Sequence, residues 1–310
     1  MDRSRPTAAN GSYRGAPDRT LPTLVLYPAR GEPGDAGTDA EDAPRAPGSF
    51  PLLVFSHGFT ANGPAYRPLL REWARRGFVV AAPTFPLSNG DAPGGPVLVD
   101  VWNQPGDVSF VIDSLEELSR RDPSWRGLID PNRIAAAGHS LGAITTLLVT
   151  YNTCCVDRRI DAAVPISGLL LPKPGGEFFT GRPVPLLLIH GDDDRTVPYR
   201  GSVQAFERAH PPKFLLTLEG APHTPFRDRR WNDPIISVVT DFLDAYLNHR
   251  PGAIRSMTTD ADHDGATRLE SDPGRRLAAP GRSAARQPMS TARRDATISA
   301  ASRASRHAVP

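Results

Sequence analysis

Lysine is almost missing from this 310-residue chain: Lys173 and Lys213 are the only two, and arginine carries nearly all the positive charge. Arginines and acids almost cancel, and a formal net charge of +2 gives no electrostatic drive toward nucleic acid or an acidic surface. Cysteine is as scarce. Cys154 and Cys155 are neighbours, adjacent cysteines bridge only under strain, and no Cys/His spacing suits a metal, so neither a disulfide framework nor a metal site is predicted. No run approaches the roughly 18 consecutive apolar residues that span a bilayer, and Met1 to Thr20 lacks the apolar core of a secretory signal. These absences predict a cytoplasmic protein without a transmembrane segment, exported only if a mis-assigned start codon conceals a signal.

Aromatic residues are missing from one end. From Pro251 to Pro310 there is no Phe, Tyr or Trp, and Ala, Arg, Ser and Asp take over. Such a segment cannot bury enough apolar area to offset the entropy of ordering it. Residues 251–310 are therefore predicted to be a disordered tail. Residues 1–20, rich in Pro, Gly, Arg and Ser, are predicted to lack fixed structure too, which leaves 21–250 as the folded domain.

Within that domain, short apolar runs alternate with amphipathic ones. Thr23–Tyr27, Leu52–Phe55, Phe78–Ala82, Arg133–Ala137, Ala162–Ile166, Leu186–Ile189 and Phe214–Leu218 read as strands. Tyr66–Arg76 reads as a helix stopped by Gly77, and Val108, Val111, Ile112, Leu115 and Leu118 share one helical face. A last helix is predicted to start at Asp233-Pro234, and Arg30–Gly48 reads as a long polar hairpin loop. The alternation predicts an α/β fold: a mostly parallel central sheet with helices on both faces.

Gly138-His139-Ser140-Leu141-Gly142 spells G-x-S-x-G between a predicted strand and a predicted helix. A serine on such a turn is strained and presents its hydroxyl above the sheet edge, while the glycines let strand and helix cross closely. A hydroxyl becomes a nucleophile only when a base takes its proton and an acid orients that base. In an open α/β sheet these groups collect at the carboxyl ends of strands. The strand ending at Ile189 runs into His190-Gly191-Asp192-Asp193-Asp194, and the one ending at Leu218 runs into Glu219-Gly220-Ala221-Pro222-His223. His223 is the expected base. His139, within the elbow, is expected to point elsewhere, and His57 and His190 to shape their loops. Any of the three aspartates can serve as the acid on spacing alone. Oxyanion donors are expected from the backbone N–H of Leu141, after the nucleophile, and of Phe59, where Gly58 permits a turn after Leu52–Phe55.

Together these residues resemble the α/β-hydrolase superfamily from about Leu21 to Asn248, without a large cap domain. Four stretches look like the branch of dienelactone-hydrolase-like and platelet-activating-factor-acetylhydrolase-like serine esterases: Leu24–Pro28, Leu53–Phe59, Ala137–Gly142, and His190-Gly191-Asp192-Asp193-Asp194-Arg195-Thr196-Val197-Pro198. The resemblance places the acid on Asp194. Gly58-Phe59-Thr60 is also similar to the oxyanion turn of cutinase-like polyester hydrolases. True dienelactone hydrolases carry cysteine where this chain has Ser140, so their substrate class does not transfer.

The expected function is hydrolysis of carboxylic esters, small-molecule or lipid-like, through an acyl-enzyme on Ser140, with no metal and no cofactor. Trp102, Phe178 and Phe179 are expected to line the substrate site. Two alternatives are an enzyme for insoluble esters or for amides, and a non-catalytic binding protein on the same fold.

Overall fold

The computed structural model describes residues 1–30, 42–262 and 265–274. Eight strands form one sheet: β1 (Thr23–Leu26), β2 (Phe50–Ser56), β3 (Val79–Pro83), β4 (Ile129–His139), β5 (Ile160–Ile166), β6 (Leu186–Gly191), β7 (Lys213–Leu218) and β8 (Thr267–Asp272). Their order across the sheet is β1-β3-β2-β4-β5-β6-β7-β8. The six strands from β3 to β7 are parallel, and the two edges, β1 on β3 and β8 on β7, are antiparallel. The described residues form six α-helices: α1 (Arg67–Arg75), α2 (Gln104–Arg121), α3 (Leu141–Tyr151), α4 (Arg200–Arg208), α5 (Arg229–Tyr246) and α6 (Ala253–Asp260).

Successive side chains of a strand point to opposite faces, and here both faces are covered. Leu53 and Phe55 of β2, with Leu187 and Ile189 of β6, pack under Trp73 of α1 and Phe242 of α5. Leu52 and Val54 face the other way, against Val108 and Ile112 of α2, while Leu186 and Leu188 meet Leu147 of α3 and Ala205 of α4. This double burial explains why the strands read as continuous apolar runs rather than as alternating ones.

Several expectations need correction. Residues 1–20 are held in place: Asp2 bridges Arg19, Thr7 bridges Ala16 and Asn10 bridges Tyr13, forming an antiparallel strap. Its anchor is an ion cluster that composition cannot reveal. The Arg19 guanidinium, buried in the interior, grips both carboxylate oxygens of Asp107 at 2.8 and 2.7 Å and reaches Asp100 at 3.1 Å. At the other end, α6 seats Met257 in the core beside α5, and β8 adds an edge strand. The domain therefore extends past residue 250. The expectation for the tail beyond Gly274 falls outside the described residues. Helix α5 starts earlier than predicted, capped by Asp228, whose side chain accepts from the Arg230 N–H at 2.9 Å; Pro234 lies inside it. The Arg30–Gly48 stretch is described only at its ends, which close as a hairpin through Arg30 N–H to Pro44 C=O and Ala46 N–H to Pro28 C=O. The sulfurs of Cys154 and Cys155 lie at bonding distance, where no bridge was expected. No helix among the described residues is long and apolar enough to cross a membrane.

Candidate functional site

Four strand ends meet above the middle of the sheet, and the turn between β4 and α3 is the tightest of them. Ser140 sits there at φ 57° and ψ −117°, a left-handed conformation that costs a residue with a side chain about 1–3 kcal/mol. The flanking glycines are forced by contact. A Cβ on Gly138 would lie 2.3 Å from the Gly142 carbonyl oxygen, and one on Gly142 would lie 2.0 Å from that of Ser56. Packing of α3 against β2 and β4 holds the strain, and the Ser140 N–H bonds to the Ile166 C=O at 2.9 Å.

The structure brings together the three side chains that the sequence pointed to. The Ser140 Oγ lies 2.9 Å from His223 Nε2, and His223 Nδ1 lies 2.6 Å from Asp194 Oδ2. Asp194 is the aspartate of its trio that faces the imidazole; Asp193 is turned outward toward Arg195, and Asp192 accepts from the Gly220 N–H. Asp194 is also the best held. Its Oδ1 accepts from the N–H groups of Thr196 and Val197 at 2.8 and 2.9 Å, and its Oδ2 takes a further bond from His190 Nε2 at 3.1 Å. Burial works against its charge, but the bonds from His223, Val197 and Thr196 outweigh it and keep the carboxyl below its usual range. A permanent carboxylate at Nδ1 fixes the tautomer of His223 so that Nε2 is free to accept from Ser140.

Three other histidines support the site, each in a state set by its partners. His57 Nε2 accepts from the Phe85 N–H at 2.9 Å, so its proton is on Nδ1, which donates to the Gly58 C=O at 2.8 Å. In a trans peptide the C=O and N–H point opposite ways, so holding the Gly58 carbonyl aims the Phe59 N–H away from it. Burial lowers the pKa of His57 to about 4 and keeps the ring neutral. His190 is buried, its pKa lowered by burial, with Nε2 toward Asp194 and the Val197 C=O, and Nδ1 accepting from Ser202. Both shape their loops as expected.

His139 does more than the sequence suggested. Its Nε2 donates to the His223 C=O at 2.7 Å, which leaves Nδ1 to accept from the Tyr66 hydroxyl at 2.9 Å; Tyr66 in turn accepts from the Gly58 N–H at 3.1 Å. Burial takes His139 down to about 3 and Tyr66 up to about 12, so this chain is neutral throughout. It ties the turn after β2, the elbow and the loop after β7 to one another. Tyr66 was not singled out in the sequence, because a tyrosine opening a helix carries no signal of a partner 73 residues away.

The amides of Phe59 and Leu141 have no hydrogen-bond partner among the described residues. Ser140, His223 and Phe59 line a cleft of about 680 Å³ whose other walls include Tyr66, Leu69, Phe226 and Arg227. Of the expected substrate contacts, Phe179 is elsewhere. It stacks on Tyr151 at the far end of α3, about 16 Å along the axis from the elbow, and lines a separate cavity of about 330 Å³. Phe178 is its neighbour there, and both are packed core residues. Trp102 packs in the cluster that backs Leu141 and Phe59 and is not a wall of the cleft. Among the described residues no group of histidines, cysteines and acids is arranged to hold a metal ion.

Comparison with known proteins agrees with this geometry. A family model described as Phospholipase/Carboxylesterase matches residues 106–211, and one described as Platelet-activating factor acetylhydrolase, isoform II, matches residues 35–85. An uncharacterized protein of Escherichia coli K12, YfhR, is 23% identical over 220 residues, covering 66% of this chain and 73% of that protein. A platelet-activating factor acetylhydrolase of Cavia porcellus is 21% identical over 221 residues, 58% of this chain and 48% of that one. Among solved structures, a ferulic acid esterase from Streptomyces cinnamoneus superposes with a TM-score of 0.59 at 23% identity, covering 81% of this chain and 88% of that chain. The sheet order, the strained serine turn and the superposition give this chain the α/β-hydrolase fold, and the family models that match parts of it support hydrolysis of carboxylic esters.

Proposed function

We propose that Ser140, His223 and Asp194 are a catalytic triad that cleaves carboxylic esters through an acyl-enzyme. The observation that carries this is the hydrogen bond of 2.9 Å from Ser140 Oγ to His223 Nε2, with the far side of the imidazole held by a carboxylate that four donors keep charged. His223 takes the hydroxyl proton as Oγ attacks the ester carbonyl. The negative charge on the former carbonyl oxygen is met by the N–H groups of Leu141 and Phe59, the latter aimed by His57. Collapse of the tetrahedral intermediate sends the proton from His223 to the departing alcohol and leaves the acyl group on Ser140. Water, deprotonated by His223, then attacks the acyl-enzyme and releases the acid. Nothing in this sequence of steps calls for a metal or an organic cofactor.

Pre-steady-state hydrolysis of chromogenic acetyl to octanoyl esters, beside the matching anilides, tests this reading. It predicts a burst of one phenolate per enzyme and slow steady turnover of the esters, with the anilides far slower. Turnover of anilides alone would overturn the ester assignment, and no turnover of either would favour a binding protein on this fold.

A further inference from the structure

The cleft above Ser140 has one aliphatic side among neutral polar walls and carries formal charge at a single point. Ala61, Ala65, Pro68 and Leu69 supply the aliphatic side, and Arg227 is its one ionised lining residue; no carboxylate lines it. Arg227 is exposed, and no acid pairs with its guanidinium among the described residues. The nearest acid in sequence, Asp228, is turned away to cap α5 through the Arg230 N–H. Elsewhere this chain pairs many of its arginines, as Arg5, Arg19, Arg133 and Arg159 show. Arg227 has no such partner among the described residues, and its guanidinium is open to a ligand in the cleft.

Its mounting is packed against the site. Arg227 ends a short 3-10 turn, Pro225–Arg227, where Pro225 is buried and the Phe226 ring packs 5.3 Å from that of Tyr66 and 4.9 Å from that of His139. The same loop carries His223, four residues earlier. The imidazole delivers its proton to the leaving oxygen, so the wall shared by His223 and Arg227 faces the alcohol portion of a bound ester. A planar guanidinium suits a carboxylate or phosphate with two oxygens to offer.

We infer that Arg227 selects esters whose alcohol portion ends in an anionic group, a carboxylate or a phosphate, beyond a short apolar spacer. The inference rests on the ester-hydrolase reading of the same cleft. One charge-assisted bond to the bound ester raises kcat/KM about tenfold.

The test uses three acetate esters of substituted phenols on the full-length protein: one with a carboxylate on the ring, one with a phosphate, and the neutral methyl ester of the first. The kcat/KM ratio of anionic to neutral ester is expected to be about ten in the wild type, near one in Arg227→Ala and below one in Arg227→Glu, with Arg227→Lys retaining part of it. The ratio should also shrink as salt rises. Whichever anion gives the larger ratio names the preferred group. A ratio near one in the wild type, or one that survives Arg227→Ala, overturns the inference while turnover of the neutral ester still stands. Absence of turnover of all three would instead remove the hydrolase reading on which it depends.

Discussion

The elbow at Gly138–Gly142 and the strap at Asp2–Arg19 are both held in conformations that an isolated peptide would not keep, and they are held by opposite means. At the elbow, backbone strain at Ser140 is enforced by contacts a few residues away in sequence or on adjacent strands. In the strap the positive-φ positions fall on glycines, Gly11 and Gly15, and the constraint is a buried guanidinium whose partner, Asp107, lies 88 residues further on. One region spends stability to expose a hydroxyl, and the other uses charge burial to pin a terminus. The comparison teaches that function and anchoring can be separated by mutation here, which three substitutions should demonstrate.

The largest effect is expected at Asp194. In Asp194→Asn the retained oxygen would still accept from Thr196 and Val197, so the amide nitrogen would replace Oδ2 and point at His223 and His190. The His223 proton would then sit on Nε2, facing Ser140. We expect kcat for ester hydrolysis to fall about 10³- to 10⁴-fold with the thermal transition little changed, measured by steady-state kinetics beside calorimetry.

Arg19→Ala should do the reverse. It leaves two buried carboxylates, Asp100 and Asp107, without their main partner, a loss of about 3–5 kcal/mol in comparable buried pairs. Urea unfolding should show that shift in midpoint, while Ser140 in the folded fraction keeps its reactivity. If Arg19→Ala abolished reactivity at full stability, the separation of the two regions would be wrong.

The smallest effect belongs to Tyr66→Phe. The ring contacts with Phe55 and Phe226 remain, but the Gly58 N–H and His139 Nδ1 lose their shared partner. A loss of about 1 kcal/mol of positioning should lower kcat roughly fivefold and leave KM nearly unchanged. A change confined to KM would mean that Tyr66 contacts substrate instead of linking the loops.

The pattern of what the sequence disclosed follows the same division. Ser140, His223 and the strands below them were legible because each is a local feature: a motif between a strand and a helix, or a residue at a strand end. Asp194 was separable from Asp192 and Asp193 only through family resemblance, since the direction a side chain takes in a turn depends on hydrogen bonds to Thr196 and Val197. The strap, β8 and the Tyr66–His139 link escaped notice because their partners are remote and their local composition is polar. Phe178 and Phe179 misled for the converse reason, being large and apolar in a short loop. An aromatic pair beside Tyr151 fills a core as readily as it lines a cleft.

The most direct test of the central claim is covalent labelling by a fluorophosphonate, which reacts only with a serine activated as Ser140 is proposed to be. One equivalent should add to the wild type, peptide mapping should place it on Ser140, and Ser140→Ala should take up none. Equal labelling of Ser140→Ala, or no labelling of a folded wild type, would contradict the account.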